Sequence, residues 1–307
     1  MATFGIAAIQ TAGRKNGNFD LVEREVRSAA KRFPWIDLVT LGELVIHGAD
    51  TAFAEAPEGP TEQRCAALAK ELGIWFQPGS YYEKRDGEIF NVAPVFNPDG
   101  EIVAKHDKLF PFLPYEKNVA YGKNYTVFDV PGKGRIGLAI CYDMWFPEAI
   151  RTLAAMGAEV ILLPTMTNTI DRDVELSIAR ANAAVNQCYF IDVNVAGEQG
   201  NGRSVFYGPG GELLHECGTG AEVVPLELDF EQVWRARDRG WHGLGQVMKS
   251  FRDAPLAFPM HADAEHRRAA LSDLGQLEMP RSGKSNDRNG AGEITGAKPN
   301  RKLRVIE

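Results

Sequence analysis

The sequence predicts an α/β fold in which sheets are covered by helices. Three observations carry this. Short runs of nearly pure apolar residues, such as 160–164, read as strands buried on both faces. Several such runs are followed by stretches with apolar residues at helical spacing and charges between them, the order expected of helix-covered sheets. Turn signals at Asn97-Pro98-Asp99-Gly100, Pro131-Gly132-Lys133 and Pro209-Gly210-Gly211 join adjacent strand runs into hairpins, which argues against a purely parallel barrel.

Taken in order, residues 4–10 read as a buried strand. Residues 21–33 place Leu21, Val22, Val26, Ala29 and Ala30 at near-helical spacing and predict a helix. Residues 36–41 form a second apolar strand. A helix is expected over 59–72, starting near Pro60-Thr61-Glu62 and stopping at Gly73. Strands over 74–79 and 88–96 follow, the second turning at 97–100 into 101–105. A strand pair covers 126–130 and 134–140. Pro147, favoured in a first helical turn, opens a helix over 147–156 that ends at Gly157. Strand 160–164, helix 174–186 and strand 189–194 come next. A hairpin of 204–207 with 213–216, a strand over 222–228 and a helix over 230–239 complete the pattern. No internal repeat is visible.

Composition narrows the class. The chain has 307 residues, 44% hydrophobic and 24% charged, an ordinary balance for a soluble globular protein with a sizeable core. Its formal charge of −7 gives no global positive field to attract nucleic acid. The first ten residues lack a basic region ahead of a long apolar run, so they read as a strand rather than a signal peptide. No stretch approaches the length of a membrane span. Four cysteines, Cys65, Cys141, Cys188 and Cys217, form no CxxC pair and no metal-ligand spacing. Scattered thiols in a chain this long predict a reducing compartment, the cytoplasm, and no disulfides. Residues 280–300 are poor in large apolar side chains and rich in Gly, Ser, Asn and basic residues, the composition of a flexible segment or of an arm on another subunit.

Three segments could carry chemistry. In Gly137-Leu138-Ala139-Ile140-Cys141-Tyr142-Asp143-Met144-Trp145-Phe146-Pro147-Glu148, an apolar strand stops at a cysteine and a helix starts soon after. A cysteine on such a turn projects its sulfur from the sheet edge, with backbone N–H groups aimed at whatever the sulfur attacks. Cys141 reads equally as a small buried apolar residue. Leu38-Val39-Thr40-Leu41-Gly42-Glu43 puts a carboxylate directly after a strand, where a capping or loop residue would also fit. Ala104-Lys105-His106-Asp107-Lys108-Leu109 carries Lys108 between apolar neighbours, where a solvated charge run would also fit. There is no G-x-S-x-G elbow, no Walker-type phosphate loop and no H-E-x-x-H pair among the six histidines.

Together the three segments resemble the nitrilase superfamily of carbon–nitrogen hydrolases, over roughly residues 4–228. The order Glu, Lys, Cys, each near a strand end, is that family's arrangement, and Cys-Tyr-Asp-x-Trp-Phe-Pro-Glu is the most specific part. The resemblance implies a four-layer α-β-β-α sandwich. It implies Glu43 as general base, Lys108 as the cation that stabilises the intermediate and Cys141 as nucleophile. Glu116, in Leu113-Pro114-Tyr115-Glu116, stands where many members carry a second active-site glutamate. A catalytic domain over 1–260, a C-terminal extension over 261–307 that is flexible or contacts another subunit, and a homodimer or larger homo-oligomer are also implied. Neither a metal nor an organic cofactor is expected.

True nitrilases usually show Cys-Trp-Glu. Cys141-Tyr142-Asp143 looks instead like the amidase and carbamoylase branches. Trp145-Phe146-Pro147-Glu148 is similar to N-carbamoylputrescine amidases and to the omega-amidase-like group. The Cys-Asp-Asp-Gly of aliphatic amidases and formamidases is absent. The expected reaction is hydrolysis of a small linear amide to an acid and ammonia through a Cys141 thioester. An N-carbamoyl amine, releasing carbon dioxide and ammonia, is the alternative, with a true nitrilase or a non-catalytic scaffold behind it. Substrate contacts are expected from Tyr115, Tyr142, Trp145, Thr165, Met166, Thr167 and Asn168. The family's Arg-x-Arg-x-x-Glu-Asn-Gln run reads Arg180-Ala181-Asn182-Ala183-Ala184-Val185-Asn186-Gln187, without the second arginine and the glutamate. The segment 240–253 matches no branch and is read as packing on the outside.

Overall fold

The computed structural model describes residues 3–258, 264–271 and 277. The chain runs β1 (Thr3–Gln10), β2 (Ala12–Gly13), α1 (Phe19–Arg32), β3 (Leu38–Leu41), α2 (Pro60–Leu72), β4 (Trp75–Gln77), β5 (Tyr81–Arg85), β6 (Glu88–Phe96) and β7 (Ile102–Asp107). It continues with β8 (Thr126–Val130), β9 (Gly134–Leu138), α3 (Pro147–Ala155), β10 (Val160–Thr165), α4 (Asp171–Asn186), β11 (Tyr189–Asn194) and β12 (Ala196–Gly197). The remaining elements are β13 (Val205–Tyr207), β14 (Leu213–Glu216), β15 (Glu222–Asp229), α5 (Phe230–Arg239), α6 (Val247–Asp253) and α7 (Ala264–Ala270).

Two mixed sheets form the centre. One has the order β15-β1-β3-β4-β6-β5, with β7 also paired to β6; the other is β14-β13-β11-β10-β9-β8. β1, β3 and β4 run parallel to one another, as do β9, β10 and β11, and antiparallel hairpins flank both sets. Alternation along each strand builds three layers of core. Ile6, Leu38 and Val95 from the first sheet meet Leu138, Leu162 and Ile191 from the second, filling the space between sheets. The other strand faces carry Ile9, Val39 and Leu41 under Val22, Val26 and Leu68 of α1 and α2, and Ile161, Leu163 and Phe190 under Ile150, Leu153 and Ala179 of α3 and α4. This is the four-layer α-β-β-α sandwich.

Local chemistry sets the element ends. Pro60 opens α2, and Gly73, at φ 63°, closes it in the left-handed region with its N–H on Ala69 O. The β6–β7 turn is held by Asn97, whose Oδ1 accepts from Asp99 N and Glu101 N. Strand β5 was not legible because Tyr81-Tyr82-Glu83-Lys84-Arg85 is half polar; it pairs with β6, and its buried Glu83 is held by Arg85 and Lys105. The two-residue pair β2 and β12 is too short to leave a pattern. Helix α4 begins at Asp171, three residues before the expected start, with Asp171 and Asp173 in its first turn.

Among the described residues, no helix is long and apolar enough to cross a membrane. The expectation for 280–300 falls outside the described residues, as does most of the 261–307 extension. The 240–253 segment packs against the outer helices. Met248 N donates to Gln187 Oε1, and Lys249 pairs with Asp238.

Candidate active site

The site forms where strand ends of the two sheets meet. β3 ends at Leu41, and the chain turns through Gly42 into Glu43. A Cβ on Gly42 would sit 2.6 Å from Val195 Cγ1, so only glycine permits this approach to the second sheet. Glu43 N then donates to Thr165 O at 3.2 Å, tying the end of β3 to the end of β10. Lys108 follows β7 directly, its N–H on Asn91 O. Cys141 opens a short 3-10 turn after β9 and has φ 44°.

A left-handed backbone on a non-glycine residue costs about 1–3 kcal/mol and persists only where its surroundings enforce it. Here Asp143 supplies the enforcement. Its buried carboxylate accepts from Ile140 N at 2.9 Å and from Phe110 N at 2.8 Å, and lies 3.2 Å from His106 Nε2. From the helix side, Asn182 Nδ2 donates to Met144 O at 3.0 Å. The asparagine that replaces the family's second arginine thus anchors the turn that Cys141 opens, while Val185, in place of the glutamate, faces outward.

Lys108 Nζ donates to Glu43 Oε1 and to Glu116 Oε2, each at 2.8 Å. Asn91 Nδ2 reaches Glu43 Oε1 at 2.9 Å, and Tyr82 OH and Phe112 N donate to Glu116. Cys141 lines the same cavity as Glu43, Lys108 and Glu116, and the Glu43 charge bears on its thiol. The structure therefore brings Glu43, Lys108, Glu116 and Cys141 into one cluster.

The electrostatics follow from burial and pairing. Burial raises the Glu43 carboxyl above the usual carboxylate range, opposed by Lys108 and reinforced by Glu116. Burial alone would raise Glu116 as well, but the Lys108 charge and hydrogen bond hold it below that range. Burial would depress Lys108, yet the two carboxylates outweigh it and keep the ammonium charged. Burial and then the Glu43 charge push the Cys141 thiol well above its ordinary value. Cys65, Cys188 and Cys217 instead sit within the three apolar cores.

The cluster opens into a cavity of about 710 Å³. Tyr115, Tyr142, Trp145, Met166, Thr167 and Asn168 line it. Phe112 stacks on Tyr115 and meets Tyr142 edge-on, both at 5.0 Å, extending an aromatic wall. Thr165 is a correction. It is fully buried and is not among the lining residues, because alternation along β10 turns it with Ile161 and Leu163 toward α4, where its Oγ1 donates to Asp192 at 2.8 Å. Its carbonyl, not its side chain, serves the site. The 240–253 segment contributes nothing to the lining.

Sequence reasoning missed Asn91, Tyr82 and Glu175. A polar Asn91 inside the apolar run Ile89-Phe90-Asn91-Val92-Ala93 was the available signal, since a buried amide requires partners. Glu175 lines the cavity and accepts from Thr167 Oγ1 at 3.0 Å and from Arg172 Nη1 at 3.1 Å. Nothing in the helix pattern marks it.

A family model described as carbon-nitrogen hydrolase matches residues 5–238. Among curated proteins, the chain is 28% identical over 260 residues to the omega-amidase NIT2 of Bos taurus, covering 78% of this chain and 93% of that one. Among solved structures, it is similar to Nit3 of Saccharomyces cerevisiae, described as a member of branch 10 of the nitrilase superfamily, with a TM-score of 0.71, 27% identity and coverage of 77% and 93%. It is also similar to the amidase of Nesterenkonia sp. AN1, with a TM-score of 0.67, 25% identity and coverage of 76% and 97%. A glutamate-to-glutamine mutant of that amidase shows acrylamide added at the active-site cysteine, and a cysteine-to-alanine mutant is in complex with butyramide.

Proposed function

This chain belongs to the carbon-nitrogen hydrolase family, a hydrolase of carbon–nitrogen bonds other than peptide bonds, and from that premise we propose that it cleaves a small linear amide to a carboxylic acid and ammonia through a thioester on Cys141. The observation that carries this reading is the convergence of Cys141, Glu43, Lys108 and Glu116 on one cavity, with the Lys108 ammonium held 2.8 Å from each carboxylate.

In the proposed reaction the Cys141 sulfur attacks the amide carbonyl as its proton passes to Glu43. A carboxyl raised toward neutrality is better matched to shuttling that proton than an ordinary one. The oxyanion is held by the Lys108 ammonium, which has a third N–H beyond the two given to carboxylates, and by the backbone N–H of Tyr142. Glu43 then protonates the leaving nitrogen, ammonia departs and the thioester remains. Glu43 next deprotonates water, which attacks the thioester carbonyl. The acid leaves, and Glu43 returns the proton to the sulfur. Glu116 fixes Lys108 against Glu43. The butyramide complex of the Nesterenkonia relative supports a linear amide as substrate class.

The homo-oligomer and the cytoplasmic compartment belong to the same proposal. Exposed Trp234, Trp241, Leu244 and Leu256 support association, and sedimentation velocity tests it.

The testing experiment measures ammonia release from linear amides, N-carbamoyl amines and nitriles. Wild type is expected to turn over amides, with losses of roughly 10³-fold or more in Cys141→Ala and in Glu43→Gln. Carbon dioxide released with the ammonia would select the N-carbamoyl alternative. Full activity in both variants would sink the assignment.

A further inference from the structure

The cavity around Cys141 is short of positive charge. Carboxylates of Glu43, Asp50, Glu116, Asp171, Glu175 and Glu198 line it. Against them stand Lys15, Lys108 and Lys117, and among the described residues no arginine lines the cavity. Lys108 is already shared between two glutamates. Behind the wall the pattern repeats, with Arg172 shared between Glu175 at 3.1 Å and Asp192 at 2.8 Å. Each buried cation serves two carboxylates, so each triplet keeps one uncompensated negative charge when ionised. Burial, with the Asp192 charge adding to it, pushes the Glu175 carboxyl up, the behaviour of a group that lacks sufficient positive charge nearby.

Glu175 is placed to act on a ligand. Its two oxygens accept one hydrogen bond each, from Thr167 and Arg172, which leaves acceptor capacity on both. Its charge is felt at the Cys141 sulfur. Asp171 stands on the same cavity wall one helical turn earlier on α4. The aromatic wall of Phe112, Tyr115, Tyr142 and Trp145 offers ring faces, which attract cations. An amide with a carboxylate at its far end would meet this excess of like charge with, among the described lining residues, Lys15, Lys117 and a protonated His47 to receive it.

We propose that the amide hydrolysed here carries an ammonium or similar cation at the end away from the scissile bond, received by Glu175 and Asp171 beside the aromatic wall. This rests on the amidase reading above and adds the charge of the substrate to it.

The test compares three amides of equal length: a five-carbon linear amide, its ω-amino analogue and its ω-carboxylate analogue. The expected kcat/KM is highest for the amino compound, about ten-fold or more above the carboxylate compound. Glu175→Gln and Asp171→Asn are each expected to lower the amino-to-neutral ratio of kcat/KM by about five-fold. Thermal melting monitors folding. Asp171 is only half-buried, so its variant reads the effect even where Glu175→Gln disturbs the Arg172 network. Turnover of the carboxylate compound equal to or above that of the amino compound overturns this inference and leaves the amidase reading standing. Silence with all three, and across the wider amide panel, overturns both.

Discussion

Lys108 Nζ lies 2.8 Å from Glu43 Oε1, and the two side chains are only 2% and 4% exposed. Placing an ion pair this deep costs desolvation that mutual attraction only partly returns. A second carboxylate, Glu116, shares the same ammonium, which leaves the cluster one positive charge short. Such an arrangement is poor for stability and well suited to moving a proton.

Removing the cation should therefore be costly twice over. Lys108→Met leaves two buried carboxylates without a partner, and a loss of about 3–5 kcal/mol is expected in denaturant unfolding. The kcat for a turned-over amide should fall by about 10²–10³-fold, because the oxyanion loses its charged donor.

The thiol should titrate according to the charges around it. Burial and Glu43 hold the Cys141 proton on, so thiolate absorbance in wild type should rise only at strongly alkaline pH. Glu43→Gln removes a nearby negative charge. That favours the thiolate, and the absorbance curve should move to lower pH. A curve that stays in place would mean that Glu43 does not bear on the sulfur.

The two glutamates should act oppositely on stability with pH. The carboxyl of Glu116 is held below its ordinary value of 4.5, so its ionised form stabilises the fold above that value, and the contribution is lost as pH falls through the lower folded value. The destabilisation caused by Glu116→Gln should shrink between about pH 6 and about pH 3. The Glu43 carboxyl is raised, so its ionisation opposes folding as pH climbs above 4.5, and Glu43→Gln should gain relative stability over that rise. Urea unfolding at stepped pH reads both slopes.

Asp143 should behave as a positioning residue. Asp143→Ala frees the N–H groups of Ile140 and Phe110 and lets Cys141 leave its left-handed backbone. A stability loss of about 1–3 kcal/mol is expected, with kcat reduced by about 10²-fold. Asp143→Asn keeps one acceptor oxygen and should recover part of the kcat, a rescue that general destabilisation would not produce.

The parts of this molecule that were legible in the sequence are those set by local pattern. Continuous apolar runs marked β1, β10 and β11, and Gly73 marked the end of α2, while the strand-to-turn sequence around Cys141 left a nucleophile and a small buried apolar residue equally open. Glu43 and Lys108 stood out only through the resemblance of the three segments, taken together, to the nitrilase superfamily, since each by itself reads equally as a loop residue. What escaped was set by tertiary pairing. Asn91 matters because its strand passes under Glu43 and Glu116. Glu175 matters because α4 carries it to the cavity beside Arg172. Thr165 was misplaced because it was read as flanking the strand end, whereas it is the last residue of β10 and alternation turns its side chain with Ile161 and Leu163 to Asp192, away from the cavity.

The central claim is the thioester on Cys141, and intact-protein mass spectrometry during turnover of an amide tests it most directly. Wild type should show a transient adduct equal to the amide less ammonia, mapping by proteolysis to the peptide that contains Cys141, and Cys141→Ala should show neither adduct nor ammonia. Ammonia release by Cys141→Ala at the wild-type rate, or an adduct that maps to another residue, would contradict it.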